Sequence, residues 1–412
     1  MPAEPRRRRT LLWQVLTGGL VLGTLLLLSG RVDHRPPVLS VAPLDARSGG
    51  NVVVTGTVGD ARPGLDGVWA RVDGGELVPV PVDDGALTWD ITALADGAHR
   101  LELVASDRSW LANRAVWTGA LTVDATPPTA AVSWSVPPRP GSAGALYVRT
   151  AVDCARGDLL LLGRTHPLVL VEDGLWRAIV ALPLDLQEPT VSMRIELADD
   201  LGNAALYEAV LDVVPVEWTR GGGIVLTAAQ RRDRDDHEAL EKMEAERAVA
   251  TGQVVDAPLV GTVQQPVTGW VSSPFGRVRT YSDGKRQHHL GMDIANVVGT
   301  PVLAMAGGQV SLAGEQPIHG RTVIVDHGLG ITSSYSHLSA IDVAVGATLG
   351  PGQQLGRVGS TGQSTGPHLH WEILVGGTPV DPKPWVDAVP LALGPDAAFV
   401  SLDPLPGSAG AE

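Results

Sequence analysis

The sequence predicts a mainly β chain: two β-sandwiches, a charged helical connector and a C-terminal antiparallel β domain. Three observations predict it. Gly (49) and Pro (31) are abundant, which favours short strands joined by turns. Val-rich runs recur with turn residues between them over most of the chain. One stretch, 227–251, instead has dense charge, good helix formers and no proline. At 412 residues the chain is too long for one ordinary core, and 44% hydrophobic residues suffice for several.

The N-terminus opens on Arg6 to Arg9, followed by twenty uncharged residues, 11–30. Twenty residues are about enough to cross ~30 Å of hydrocarbon as a helix. A cleaved signal has a shorter apolar core, roughly 7–15 residues, and a small-x-small site, which does not follow Leu28. Residues 1–30 are therefore read as a basic tip and an uncleaved transmembrane anchor, with the basic tip left in the cytoplasm and the rest exported. A cleaved signal, giving a secreted protein, is the alternative.

Residues 37–124 contain seven β-rich runs: 38–41, 51–58, 67–72, 76–82, 86–91, 99–105 and 115–123. Seven short strands at this spacing suggest a sandwich. Pro127-Pro128 breaks the pattern, which restarts over 126–216. Both halves end alike: 101–107 leads to Asn113, and 194–200 leads to Asn203. This weak repeat resembles the endings of bacterial immunoglobulin-like modules. The resemblance implies either a spacer or a surface for the wall or for envelope protein partners, and no aromatic cluster marks a carbohydrate platform.

In the connector, 226–252, Thr227-x-x-Gln230 fits a capping box and Gly252 is a natural stop. Leu240 and Met243 are its one strong apolar pair, which predicts a mostly solvated helix. Strand-and-turn pattern resumes over 260–385. The Pro/Gly/Ala-rich 386–412 predicts a flexible tail. Net charge is −14, with no basic stripe, which argues against a nucleic-acid partner. The single Cys154 cannot form an intrachain disulfide and reads as a small buried hydrophobe.

The chemistry concentrates late. Seven of 11 histidines lie between His288 and His370. His368 and His370, two apart on a strand, share a face with Glu372, while Leu369, Trp371, Ile373 and Val375 face a core. His289 and Asp293 would share a strand face too, with Gly291 between them leaving room for a metal and Leu290, Met292 and Ile294 turned inward. His288 points the other way and reads as a neighbour. Alternation over 331–338 puts Ser333, Tyr335 and His337 on one side. Three of these groups can hold zinc and leave an open position, with histidines to spare for water or an oxyanion.

His289-x-x-x-Asp293, Tyr335-Ser336-His337-Leu338 and Gly366-Pro367-His368-Leu369-His370 resemble the LytM/lysostaphin-type zinc metallopeptidases. Residues 271–277, 299–302, 325–328 and 359–362 fit the same pattern, so the resemblance covers about 265–385. It implies a compact antiparallel β domain that hydrolyses peptide cross-links of peptidoglycan outside the cytoplasm. It implies Zn²⁺ held by His289, Asp293 and His370, with His337 and His368 as the catalytic pair and Tyr335 along the substrate groove. His327 reads as structural and His319 as a loop residue. Gln363 departs from the arginine common at that position in the family. No residue of the set of five is replaced. The competing reading, a non-catalytic scaffold or activator of wall hydrolases, would suit a member that had lost ligands.

Overall fold

The computed structural model describes residues 33–61, 64–150, 153–252, 263–387 and 398–406. The predicted anchor lies outside these residues, and among the described residues no helix is long and apolar enough to cross a membrane. The chain divides into two compact units, one running up to Thr126 with Leu201–Asn203, the other holding Pro127–Asp200 and everything from Ala204 onward.

The first unit is a two-sheet sandwich. One sheet pairs Val38–Val41, Val52–Gly59, Ala86–Ile91 and Val82–Asp83; the other pairs Arg47–Ser48, Arg114–Val123, Gly97–Asp107, Leu65–Val72 and Val78–Val80. Alternation does the sorting: Val52, Val54, Leu87, Leu101 and Leu103 point between the sheets and are buried. Its ending is a turn lock, in which the Asp107 carboxylate accepts from the backbone N–H of Ser109 and Asn113 and from both their side chains.

In the second unit, one sandwich sheet pairs Val169–Glu172, Leu175–Ala181, Ala143–Arg149 and Ala130–Trp134. The other pairs Arg164–Pro167, Cys154–Leu161, Thr190–Asp199 and Ala204–Asp212. Cys154 is buried and unpaired, as expected. The tail departs from expectation: Val400–Leu402 adds to the outer edge of Ala130–Trp134, and Leu405 N–H donates to the Leu206 carbonyl. An open edge strand offers unpaired backbone groups, and the tail satisfies them.

The C-terminal domain is built on an eight-stranded antiparallel sheet. Its strands are β1 (Trp270–Ser273), β2 (Met292–Ala295), β3 (Gly308–Gln316), β4 (Gly320–Asp326), β5 (Ile331–Leu338), β6 (Thr348–Leu349), β7 (His368–Val375) and β8 (Thr378–Val380). Their order is β1-β2-β7-β5-β4-β3-β6, with β8 paired to β7. Leu369, Trp371, Ile373 and Val375 bury one face of β7, as their alternation requires. Ala143, Ile179 and Ala181 of the second sandwich join that cluster, so the two domains of this unit share apolar packing.

A polar network stiffens the sheet beneath the site. Met305 N–H donates to Tyr335 Oη at 2.8 Å. Ser333 Oγ lies 2.9 Å from Tyr335 Oη and 2.7 Å from His327 Nε2, and His327 Nδ1–H donates to the Gly307 carbonyl at 2.7 Å. Burial pushes the Tyr335 hydroxyl up to about 12 and His327 down to about 4, so both stay neutral. Tyr335 is fully buried in the core, which corrects the expectation that it lines a groove. His327 is structural, as expected.

The connector forms two helices, α1 (Ala228–Asp235) and α2 (His237–Gly252), broken at Asp236. The capping box is present in full. Solvation is only part of the outcome, because Met243, Ala250 and Thr251 are buried and Arg247 reaches inward.

Candidate metal centre

Sheet register assembles the site. In an antiparallel pair, residues directly opposite place their side chains on one face about 4.5–5.5 Å apart at Cβ. Asp293 of β2 stands opposite His370 of β7, and His370 stands opposite Ser336 of β5. His289 arrives differently from its sequence expectation. No strand runs from His288 to Met292; the chain bends at Gly291. Leu290 is consequently 41% exposed rather than turned into the core, although Met292 and Ile294 are buried as expected. A Cβ on Gly291 would lie 2.6 Å from the Trp371 carbonyl and 2.9 Å from His370 Cε1, so glycine is required by the close approach of β7.

The three ligand candidates converge. His370 Nδ1 lies 2.8 Å from Asp293 Oδ1 and 3.0 Å from His289 Nε2, and His289 Nε2 lies 3.0 Å from Asp293 Oδ1. All three residues are buried. Their hydrogen bonds select the atoms that face inward. A carbonyl only accepts, so His289 Nδ1, 3.0 Å from the Pro274 carbonyl, carries the proton and Nε2 presents its lone pair. Arg279 Nη2 pairs with Asp293 Oδ2, leaving Oδ1 for the centre. Glu372 Oε1 accepts from His370 Nε2–H at 3.0 Å, which turns Nδ1 inward. Two imidazoles and a carboxylate, each oriented by an outer partner, suit a zinc ion.

The electrostatics fit a cation. Burial would raise Asp293, but the adjacent His289 and His370 imidazoles outweigh it and hold the carboxyl well below its usual range. Burial pulls His370 down, yet its bonds to Asp293 and Glu372 win and push it up to about 9. The centre thus favours a positive charge between its carboxylates, which a metal would supply in place of a proton.

His337 and His368 face the same centre from the other side, with ring centroids 4.8 Å apart. His337 Nδ1–H donates to the Thr361 carbonyl at 2.8 Å and His368 Nδ1–H to the Gly366 carbonyl at 2.7 Å. Each Nε2 is therefore left as a free lone pair, that of His368 lying 3.6 Å from Asp293 Oδ1. Burial pushes His337 down to about 3 and His368 below its ordinary value, so both are neutral. The 359–367 turn supplies both carbonyls. It packs backbone to backbone, and a Cβ on Gly362 (φ +65°) would lie 2.4 Å from Gly320 N.

Alternation alone would not put Tyr335 and His337 on opposite sides of β5. His337 has φ +62°, a left-handed conformation that swings its imidazole out of the strand pattern toward His368. Such strain in a histidine is uncommon and accompanies functional sites.

Several residues of the site carried no sequence signal of their role: Arg279, Glu372, His319 and Arg247. Glu372 was legible only as a face-mate of His370. His319 sits in the turn between β3 and β4, as expected of a loop residue, and its ring lies 5.9 Å from that of His370; burial and the Arg247 guanidinium hold it well below its ordinary value. His288 turns to the Gly276 carbonyl and the Trp218 ring, as a neighbour should. The five residues His289, Asp293, His337, His368 and His370 line one groove of about 720 Å³, bordered by Gln230 and Gln363. Gln363 donates its amide to the Gln230 carbonyl at 2.9 Å, so α1 borders the mouth.

Residues 287–382 match the model of Peptidase family M23. The chain is 44% identical over 113 residues to the DD-carboxypeptidase/endopeptidase Mpg of Neisseria meningitidis serogroup B, a match covering 27% of this chain and 26% of that protein. It is 40% identical over 112 residues to the peptidoglycan DD-endopeptidase ShyA of Vibrio cholerae, covering 27% and 26%. The match thus spans about a quarter of the length of these curated relatives. A crystal structure of a putative peptidase M23 from Pseudomonas aeruginosa is similar at 29% identity and a TM-score of 0.46, covering 61% of this chain and 95% of that one. The register, the ligand set and the family match agree: the C-terminal domain of this chain belongs to Peptidase family M23.

Proposed function

We propose that this chain is a zinc-dependent endopeptidase that hydrolyses peptide cross-links of peptidoglycan. The observation that carries the proposal is the convergence of His289 Nε2, Asp293 Oδ1 and His370 Nδ1, faced by two neutral histidines. When bound there, a zinc ion would polarise the scissile carbonyl and acidify a water toward pH ~7. His368, its Nε2 free, accepts the proton of the attacking water. His337, anchored on Thr361 through Nδ1–H, presents its Nε2 lone pair to the same water from across the groove, and the proton held on His368 passes to the leaving amine as the C–N bond breaks. Arg279 holds Asp293 in place. Substrate enters the groove beside Gln363.

The relatives named as peptidoglycan endopeptidases support the substrate class. The complete set of five argues against a non-catalytic activator. We further propose that residues 1–30 anchor the chain in the plasma membrane with the catalytic domain outside, and that the sandwiches are immunoglobulin-like spacers. The test is incubation of the purified chain with cross-linked muropeptides, alongside His370→Ala. Zinc-dependent release of uncross-linked peptides by the first and none by the second is expected. Absence of zinc-dependent cleavage by the wild type sinks the proposal.

A further inference from the structure

We infer that Arg247, on α2 and outside the family-matched residues 287–382, is a positioning residue for the metal ligand His370. The inference rests on the metal reading above. Glu372 is 3% exposed, and its two oxygens have different tasks. Oε1 accepts from His370 Nε2–H, and Oε2 pairs with Arg247 Nη2. Arg247 Nη1 lies 3.4 Å from both Gln316 Oε1 and Ser334 Oγ. One guanidinium therefore ties β3, β5 and β7 together directly behind the ligand. Its planar fork makes this possible; a lysine ammonium is a point charge on a flexible stem.

Without Arg247, Glu372 would be a buried carboxylate holding only His370, and removing one partner of a buried pair leaves an uncompensated charge. The carboxylate would lose its fixed position, and with it the imidazole would lose the acceptor that keeps Nδ1 facing Asp293 and His289. Outer partners of metal ligands typically contribute about 10–100-fold to metal affinity. A second account makes the opposite prediction. Arg247 carries a positive charge near a cation site, so by Coulomb attraction alone its removal would tighten zinc binding. The sign of the change therefore separates positioning from bulk electrostatics.

The experiment measures zinc affinity of the full chain by competition with a chromophoric chelator, and the visible spectrum of the Co²⁺-loaded chain. Wild type, Arg247→Met, Arg247→Lys and Glu372→Gln are compared, with near-UV circular dichroism to verify folding. Arg247→Met is expected to bind zinc about 10-fold more weakly and to alter the Co²⁺ ligand-field bands, with Arg247→Lys in between. Unchanged or tighter zinc binding by Arg247→Met, with a wild-type Co²⁺ spectrum, overturns the inference. Should Arg247→Met not fold, Arg247→Lys decides: wild-type affinity and spectrum in it overturn the inference equally. A wild type that binds no zinc overturns the metal reading itself.

Discussion

His337 shows how much one residue's backbone can decide. Its φ of +62° places an imidazole in the groove that regular alternation would have sent elsewhere. The neutral state of both His337 and His368 follows from burial, and their tautomers follow from the carbonyls of Thr361 and Gly366. Under the proposed mechanism, loss of His368 removes the base and leaves His289, Asp293 and His370 in place. His368→Ala is expected to retain stoichiometric zinc by elemental analysis while losing about 10²–10⁴-fold in cleavage rate. Gly291 is the other decisive position. Gly291→Ala would force β7 away from the bend, costing about 1–3 kcal/mol in denaturant unfolding and weakening zinc retention.

At the scale of elements, β7 does most of the work, because one face packs the core while the other carries His368, His370 and Glu372. The connector helices are more than spacers. α1 is fixed by its capping box, and Gln230 exchanges hydrogen bonds with Gln363 and Ser364 at the groove's mouth. Removing the cap by Thr227→Ala should destabilise α1 by about 1 kcal/mol. Faster amide exchange is expected in α1 and in the 359–367 turn, with the β5 and β7 amides unchanged. The capping box and the strand faces of β7 were readable in the sequence because both depend on residues a few positions apart. The inward reach of Arg247 and the docking of Val400–Leu402 were not, since each is set by a partner more than fifty residues away.

For the whole molecule, buried histidines link stability to pH. His327 is held at about 4 in the folded chain, against about 6.5 when unfolded. Above pH ~6.5 both states are neutral and stability is flat. As pH falls from ~6.5 to ~4, the unfolded chain takes up a proton that the folded chain refuses, and stability declines by about 3 kcal/mol from this group. Urea unfolding followed between pH 7 and 4 should show this decline, and His327→Gln should flatten part of it.

What the sequence by itself determined was the mainly β class of the chain and the five residues that converge on one groove. Period-two alternation, turn residues and short motif spacings are local properties, and they survive without knowledge of the fold. Tertiary structure alone decided the atoms. Register put Asp293 opposite His370, the bend at Gly291 brought in His289, a left-handed residue turned His337 away from Tyr335, Arg279 paired with Asp293, and Glu372 bonded His370 while pairing with Arg247. These are long-range contacts between residues with no pattern of their own, and only the folded sheet brings them within a hydrogen bond's length.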